Sequence, residues 1–214
     1  MMLAARGAFL AARRKPKLPY DAEVEYLQST GVQWIDTGFA PTGKSKVECD
    51  AIWMLSASGS NLNPTLFGAR NTSQGAYFEV LQGIGPRLFY QYGTSSESIV
   101  GFAYGSRSVY TADANKLYVD GALKMAPSAA TFSIAHPLAL CALHSGGVVG
   151  RFSNASVYGF KAWDANGTLV RDFIPVRFTN EQGVSEGAMY DRVSGQLFRN
   201  AGTGAFTIGP DKTA

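Results

Sequence analysis

Glycan hydrolysis by paired carboxyl groups needs an acid and a nucleophile on one face, about 5–5.5 Å apart in the retaining case. A β-strand can supply that pair through its period of two, as in a Glu-x-Asp-x-x-Glu run. In this chain Asp21, Glu23 and Glu25 share a parity, but they lie beside the N-terminal segment and read as a solvated strand entry. Glu48 and Asp50 flank Cys49 with no third carboxylate after them, and they read as the outer face of one strand. His136 and His144 are the two histidines. A Ser-His-Asp site needs its serine on a sharp elbow. His136 before Pro137 and His144 before Ser-Gly-Gly read instead as turn residues. Gly83-x-Gly85 runs into Pro86 rather than a helix, so no phosphate or dinucleotide loop is expected. These spacings predict a non-enzymatic protein with no cofactor.

Binding chemistry is better represented. Sugars are held by aromatic faces against C–H surfaces, with amide and charged groups on their hydroxyls. The chain carries 3 Trp, 10 Tyr and 13 Phe, most of which a sandwich core must absorb. Trp53 reads as core, whereas Trp34 and Trp163 adjoin polar turn residues. The stretch 71–104 offers Tyr77, Tyr90, Gln91 and Tyr92, with Arg70 and Arg87 beside them. In RLFYQYG, Phe89 and Gln91 point one way while Leu88, Tyr90 and Tyr92 point the other. If the second set faces solvent it forms a tyrosine stripe; if it faces the core the stripe is lost. The expected carbohydrate-binding set is therefore Tyr77, Tyr90, Gln91, Tyr92 and Arg87. Asp120, in an Asp-Gly pair, reads as a turn residue, and no metal is expected. Cys49 and Cys141 lie in apolar stretches, and their pairing stays open.

The elements that must carry these residues read as strands. The 214 residues are 46% hydrophobic, 12% aromatic and 16% charged, enough apolar mass for one large core. KVECDAIWML puts Val47, Cys49, Ala51 and Trp53 on one face, and AYFEVLQ, RLFYQY, NKLYVDG, PLALCAL, ASVYGFKAW, TLVRDFIPVRF and QLFRN follow. Asn166-Gly167 predicts a tight hairpin with a primed turn. The expectation is an all-β, two-sheet antiparallel β-sandwich over residues 22–214, preceded by a tail of residues 1–21.

Residues 1–19 hold Arg6, Arg13, Arg14, Lys15 and Lys17 and no acid, which leaves residues 20–214 with 14 basic against 16 acidic residues. A body at −2 has no basic surplus for nucleic acid. Arg6 interrupts the apolar stretch and the charge cluster follows it, the wrong order for a cleavable signal. No apolar run approaches the roughly 18 residues of a membrane helix. Leu3, Arg6, Phe9, Leu10, Arg13 and Arg14 fall at helical spacing before Pro16 and Pro19, and predict a short helical or extended tail that either packs on its own domain or docks as an assembly tail.

Three segments carry a family resemblance: EYLQSTGVQWIDTG (25–38), NKLYVDGAL (115–123), and ASVYGFKAWDANGTLVRDFIPVRF followed by EGAMYDRVSGQLFRNAGTGAFTIGP. Together they resemble the concanavalin A-like, laminin-G-like domains of phage and prophage structural proteins and of gut-bacterial proteins. The resemblance spans about residues 24–210 and implies a jelly roll. The function it implies is a structural or adhesion module, displayed on a virion (phage capsid or tail) or a cell-surface assembly. Residues 1–20 would then dock the module to other structural proteins, and low charge and glycine-rich loops suit a homo-oligomer. The alternative is a soluble, lectin-like protein that binds a cell-surface glycan.

Overall fold

The computed structural model describes residues 18–54, 63–72 and 75–213. All regular elements among them are strands. In chain order they are β1 (Ala22–Glu23), β2 (Leu27–Thr30), β3 (Ile35–Asp36), β4 (Lys46–Trp53), β5 (Thr65–Arg70), β6 (Tyr77–Gly83), β7 (Arg87–Gly93), β8 (Ser95–Val100) and β9 (Arg107–Asp113). Next come β10 (Lys116–Val119), β11 (Ala122–Met125), β12 (Ala139–Leu140), β13 (Leu143–Ser145) and β14 (Val148–Gly150). The last are β15 (Asn154–Trp163), β16 (Leu169–Thr179), β17 (Ser185–Asp191), β18 (Gln196–Arg199) and β19 (Thr207–Ile208).

The first sheet runs β11-β10-β9-β4-β15-β16-β17-β18, with β1 on β16 and the β2–β19 pair on β15. The second runs β14-β13-β5-β6-β7-β8, with β12 and β3 beside β5. Pairing is antiparallel except where β13 lies parallel to β5. The fold is thus the expected two-sheet β-sandwich. The expected docking helix and its residues Leu3, Arg6, Phe9, Leu10, Arg13 and Arg14 lie outside the described residues.

Alternation builds the core. Val47, Cys49, Ala51 and Trp53 of β4 are all fully buried, while Glu48, Asp50 and Ile52 between them reach the other face. Tyr104 and Tyr110 meet the Trp53 ring edge-on at 5.4 and 5.9 Å, and Phe67 meets Phe160 between the sheets at 6.3 Å. Such T-shaped pairs add to what area burial contributes. Cys49 and Cys141 are both buried free thiols.

The turns divide the sequence expectations. Asp120 (φ 51°) and Gly121 (φ 76°) are both left-handed, the primed two-residue turn between β10 and β11. Asp120 also accepts the Val109 N–H at 2.8 Å. The β15–β16 hairpin forms too, but not through a primed Asn-Gly turn. Only Gly167 has positive φ (78°), and the Asp164 carboxylate accepts the N–H groups of Asn166 and Thr168 at 2.8 and 2.9 Å. The side chain of Asp164, three residues before the glycine, shapes that turn. PLALCAL is likewise not one strand. Cys141 takes φ 65°, so the chain runs antiparallel to β5 before it and parallel after it.

A smaller apolar cluster covers the outer face of the first sheet over β16 and β17. Ile174, Val176, Phe178 and Ala188 are buried there, opposite in parity to Phe173, which faces the main core. Tyr20 closes the cluster, its ring 4.9 Å from that of Tyr190.

Candidate ligand-binding face

Strand register gathers the polar residues of the second sheet on its outer face, because directly paired residues point the same way. One row across the sheet is Gly68, Glu79, Gln91 and Ser96, and the next is Arg70 with Tyr77. A third is Thr65, Leu81, Phe89 and Ser98, and Arg87 pairs with Gly83 at the far end. Tyr77, Gln91 and Arg87 are half-buried here. Tyr90 and Tyr92 are not on this face. Their parity puts them with Leu88, Phe78 and Val80 in the main core, 0% and 2% exposed. The Tyr90 hydroxyl donates to the Ala114 carbonyl, and that of Tyr92 contacts the Gly43 and Ala130 carbonyls. The tyrosine-stripe expectation is therefore corrected: these two residues fill the sandwich and satisfy their hydroxyls on backbone.

The face contains a group the sequence reading missed. Glu79, between Phe78 and Val80, is fully buried although it points away from the core. Neither carboxyl oxygen has a hydrogen-bond partner. The nearest cation is Arg70, Nη1 to Oε1 3.9 Å, an ion-pair separation too long for a hydrogen bond. Burial pushes the carboxyl up to about 7, against the pull of Arg70 and Arg151. Gly68 makes the room, since a Cβ there would stand 2.8 Å from the Glu79 Cβ. Arg70 is held by its Nε, which donates to Ser145 Oγ at 2.8 Å, and its guanidinium carbon lies 5.8 Å from the Tyr77 ring centroid. Arg151, whose carbonyl accepts the Thr65 N–H at 2.8 Å, completes the cluster. A Glu set between the apolar Phe78 and Val80 was the available signal.

A carboxyl near 7 is suited to hold or release a proton at neutral pH. Glycoside hydrolysis needs a second carboxyl opposite it. The paired rows of this face bring none, and residues 55–62 and 73–74 contain no Asp or Glu. The side chains on this face are an aromatic ring, an amide, guanidinium groups and one carboxyl.

The other candidates are placed as follows. Asp21 accepts the Thr179 hydroxyl at 2.8 Å, and Glu23 accepts that of Tyr20 at 3.3 Å. Asp50 forms a two-pronged pair with Arg107 at 2.8 and 2.7 Å, and Glu48 lies 3.9 Å from Lys161, both on the outer face of β4. His136 and His144 stack on each other with centroids 4.9 Å apart, and His144 Nδ1 lies 3.0 Å from the Pro137 carbonyl oxygen. Gly183-Val184-Ser185-Glu186-Gly187 does carry the Gly-x-Ser-x-Gly spacing of a nucleophile elbow. Here it is the β16–β17 hairpin, with Ser185 exposed and paired with Thr179, not a strand-to-helix turn. Trp34 and Trp163 are half-buried, with Lys46 Nζ 4.9 Å over the Trp163 ring. Among the described residues no group of three or more His, Cys, Asp or Glu could hold a metal ion, and no helix is long and apolar enough to cross a membrane.

Fold and face together describe an all-β sandwich whose second sheet carries a polar, aromatic row on its outer surface. No protein-family model matches the chain, and no curated protein matches it. Among solved structures, a mutant of NanB sialidase from Streptococcus pneumoniae is similar at 10% identity and a TM-score of 0.42. The match covers 89% of this chain and 39% of that one, so the chain spans about two fifths of the sialidase's length. The two-sheet assignment stands on the strand pairing itself.

Proposed function

We propose that the chain is a non-enzymatic adhesion module that holds a polyhydroxylated ligand, a glycan, on the outer face of its second sheet. The observation that carries this reading is the register. It sets Arg70, Tyr77 and Gln91 next to one another on one face around a single carboxyl, with Arg87 at the far end of the same face. A half-buried ring and amide on adjacent strands suit a sugar's C–H face and its hydroxyls. Residues 1–20 then attach the module to a virion or cell-surface assembly. This is supported by the position of Tyr20, packed on the outer face of the first sheet, away from the candidate ligand face.

A glycan array followed by titration tests the binding role. Tyr77→Ala and Gln91→Ala are each expected to weaken the captured glycan about tenfold, on the order of 1.4 kcal/mol. Gln91→Ala should leave the melting temperature in place. Unchanged affinity in both variants would remove the face from consideration.

A further inference from the structure

Glu79 contributes nothing evident to the core it turns away from. It has no exposure and no hydrogen bond, a state that disfavours its charged form. Two events relieve it: the carboxyl keeps a proton, or a donor moves in. The groups around it limit the donors. Arg70 comes from β5 and Arg151 from the segment after β14. Tyr77 shares β6, Gln91 comes from β7, and Ser145 stands beside Arg70 on β13. Gly68 and Leu143 bring no charge, and His144 turns to the Pro137 carbonyl. Of the two arginines, Arg70 is in line to move. It stands 3.9 Å from Glu79 because Ser145 Oγ holds its Nε and the Tyr77 ring lies alongside. Closing that gap by about 1 Å would give a charge-assisted hydrogen bond, at the expense of both present contacts.

We propose that Glu79 is a proton-linked positioning residue: protonated, it leaves Arg70 on Ser145 and Tyr77, and deprotonated it draws the guanidinium inward, so that ligand binding on this face is coupled to proton uptake. The coupling to ligand rests on the reading of this face as a glycan site. Arg70 beside Tyr77 sets the ring and presents a donor at the surface, and its withdrawal removes both from the ligand. Affinity therefore falls as pH rises through neutrality.

The first test needs no ligand. In the full chain, labelled with carbon-13 at Glu and nitrogen-15 at Arg, NMR should show three signals sharing one midpoint near neutral pH. They are the Glu79 carboxyl, the Arg70 Nε–H and the Tyr77 ring. In Glu79→Gln the Arg70 and Tyr77 signals should stay at their low-pH positions. Ser145→Ala, which removes the outer anchor of Arg70, should move the Glu79 midpoint downward. If Arg70 and Tyr77 stay still while Glu79 titrates, the inference is overturned whatever the face binds. The second test titrates cellohexaose, xylohexaose and hexagalacturonate. A bound oligosaccharide should be held about tenfold more weakly at about pH 8 than at about pH 6, and equally at both in Glu79→Gln. A wild-type affinity independent of pH overturns the coupling and leaves the glycan reading standing. Binding by none of the three, nor by any array glycan, sinks the glycan reading, and the ligand-free titration still decides the proton linkage.

Discussion

Glu79 should be visible in the stability of the protein before any ligand is known. Its carboxyl titrates near 4.5 when unfolded and near 7 when folded. Between those values the folded state holds a proton that the unfolded state has lost, so stability declines as pH rises through that window and levels off above it. The difference corresponds to about 3 kcal/mol. Glu79→Gln should flatten that slope and melt higher than wild type at about pH 8, measured by calorimetry across pH. An equally steep slope in the variant would place the titration elsewhere. Tyr90 makes the opposite case. As a fully buried ring whose hydroxyl satisfies the Ala114 carbonyl, its truncation to alanine should cost about 3–5 kcal/mol. A loss under 1 kcal/mol would contradict its placement in the core. The sequence pattern of RLFYQYG determined that Tyr90 and Tyr92 share a face, but not which face. Both sides of the second sheet carry large side chains, with Leu81 and Phe89 on the outer one, so period two alone had no polar side to point at.

At the scale of elements, the segments that carry the family resemblance turn out to be clamps. Gln33 of the opening stretch is buried, its Oε1 accepting the Thr30 N–H at 2.8 Å and its Nε2 donating to the Ala205 carbonyl at 3.0 Å. Asn200 answers from the closing stretch, accepting the N–H groups of Trp34 and Gly202 at 3.2 and 2.9 Å. Asp191, fully buried, accepts the N–H groups of Asp172 and Val193 at 2.9 and 3.1 Å and the Ser194 hydroxyl at 2.8 Å. These bonds tie β16, the β17–β18 turn and the two ends of the sandwich together. These residues of the opening and closing segments thus serve the architecture. Asp191→Ala removes a buried acceptor that orders the turn after β17 and should cost about 1–3 kcal/mol, read as a fall in melting temperature. Asp191→Asn, which keeps the acceptor oxygen, should recover part of it. The strands themselves were legible wherever alternation was clean, as in β4. The break at Cys141 was not, since a left-handed φ at a non-glycine residue leaves no compositional trace.

On the scale of the whole molecule, the two sheets present opposite outer surfaces, and the described chain enters on one while the candidate ligand face occupies the other. The proposed adhesion role needs this separation, because an anchor beside the ligand face would bury it. The entry point also decides where a truncation can be made cleanly. Tyr20 packs on Tyr190 and donates its hydroxyl to Glu23, so a chain lacking residues 1–20 loses a piece of the small outer cluster, about 1–2 kcal/mol by area. A chain lacking residues 1–17 keeps that contact. It should melt with the full chain and bind the same glycan, yet elute as a monomer where light scattering shows the full chain assembled. Should the shorter chain assemble as before, residues 1–17 are not the anchor, and self-association must be sought on the sandwich itself. If it instead stays monomeric but melts several degrees lower, residues 1–17 support the fold, and the loss of assembly would be a consequence of that.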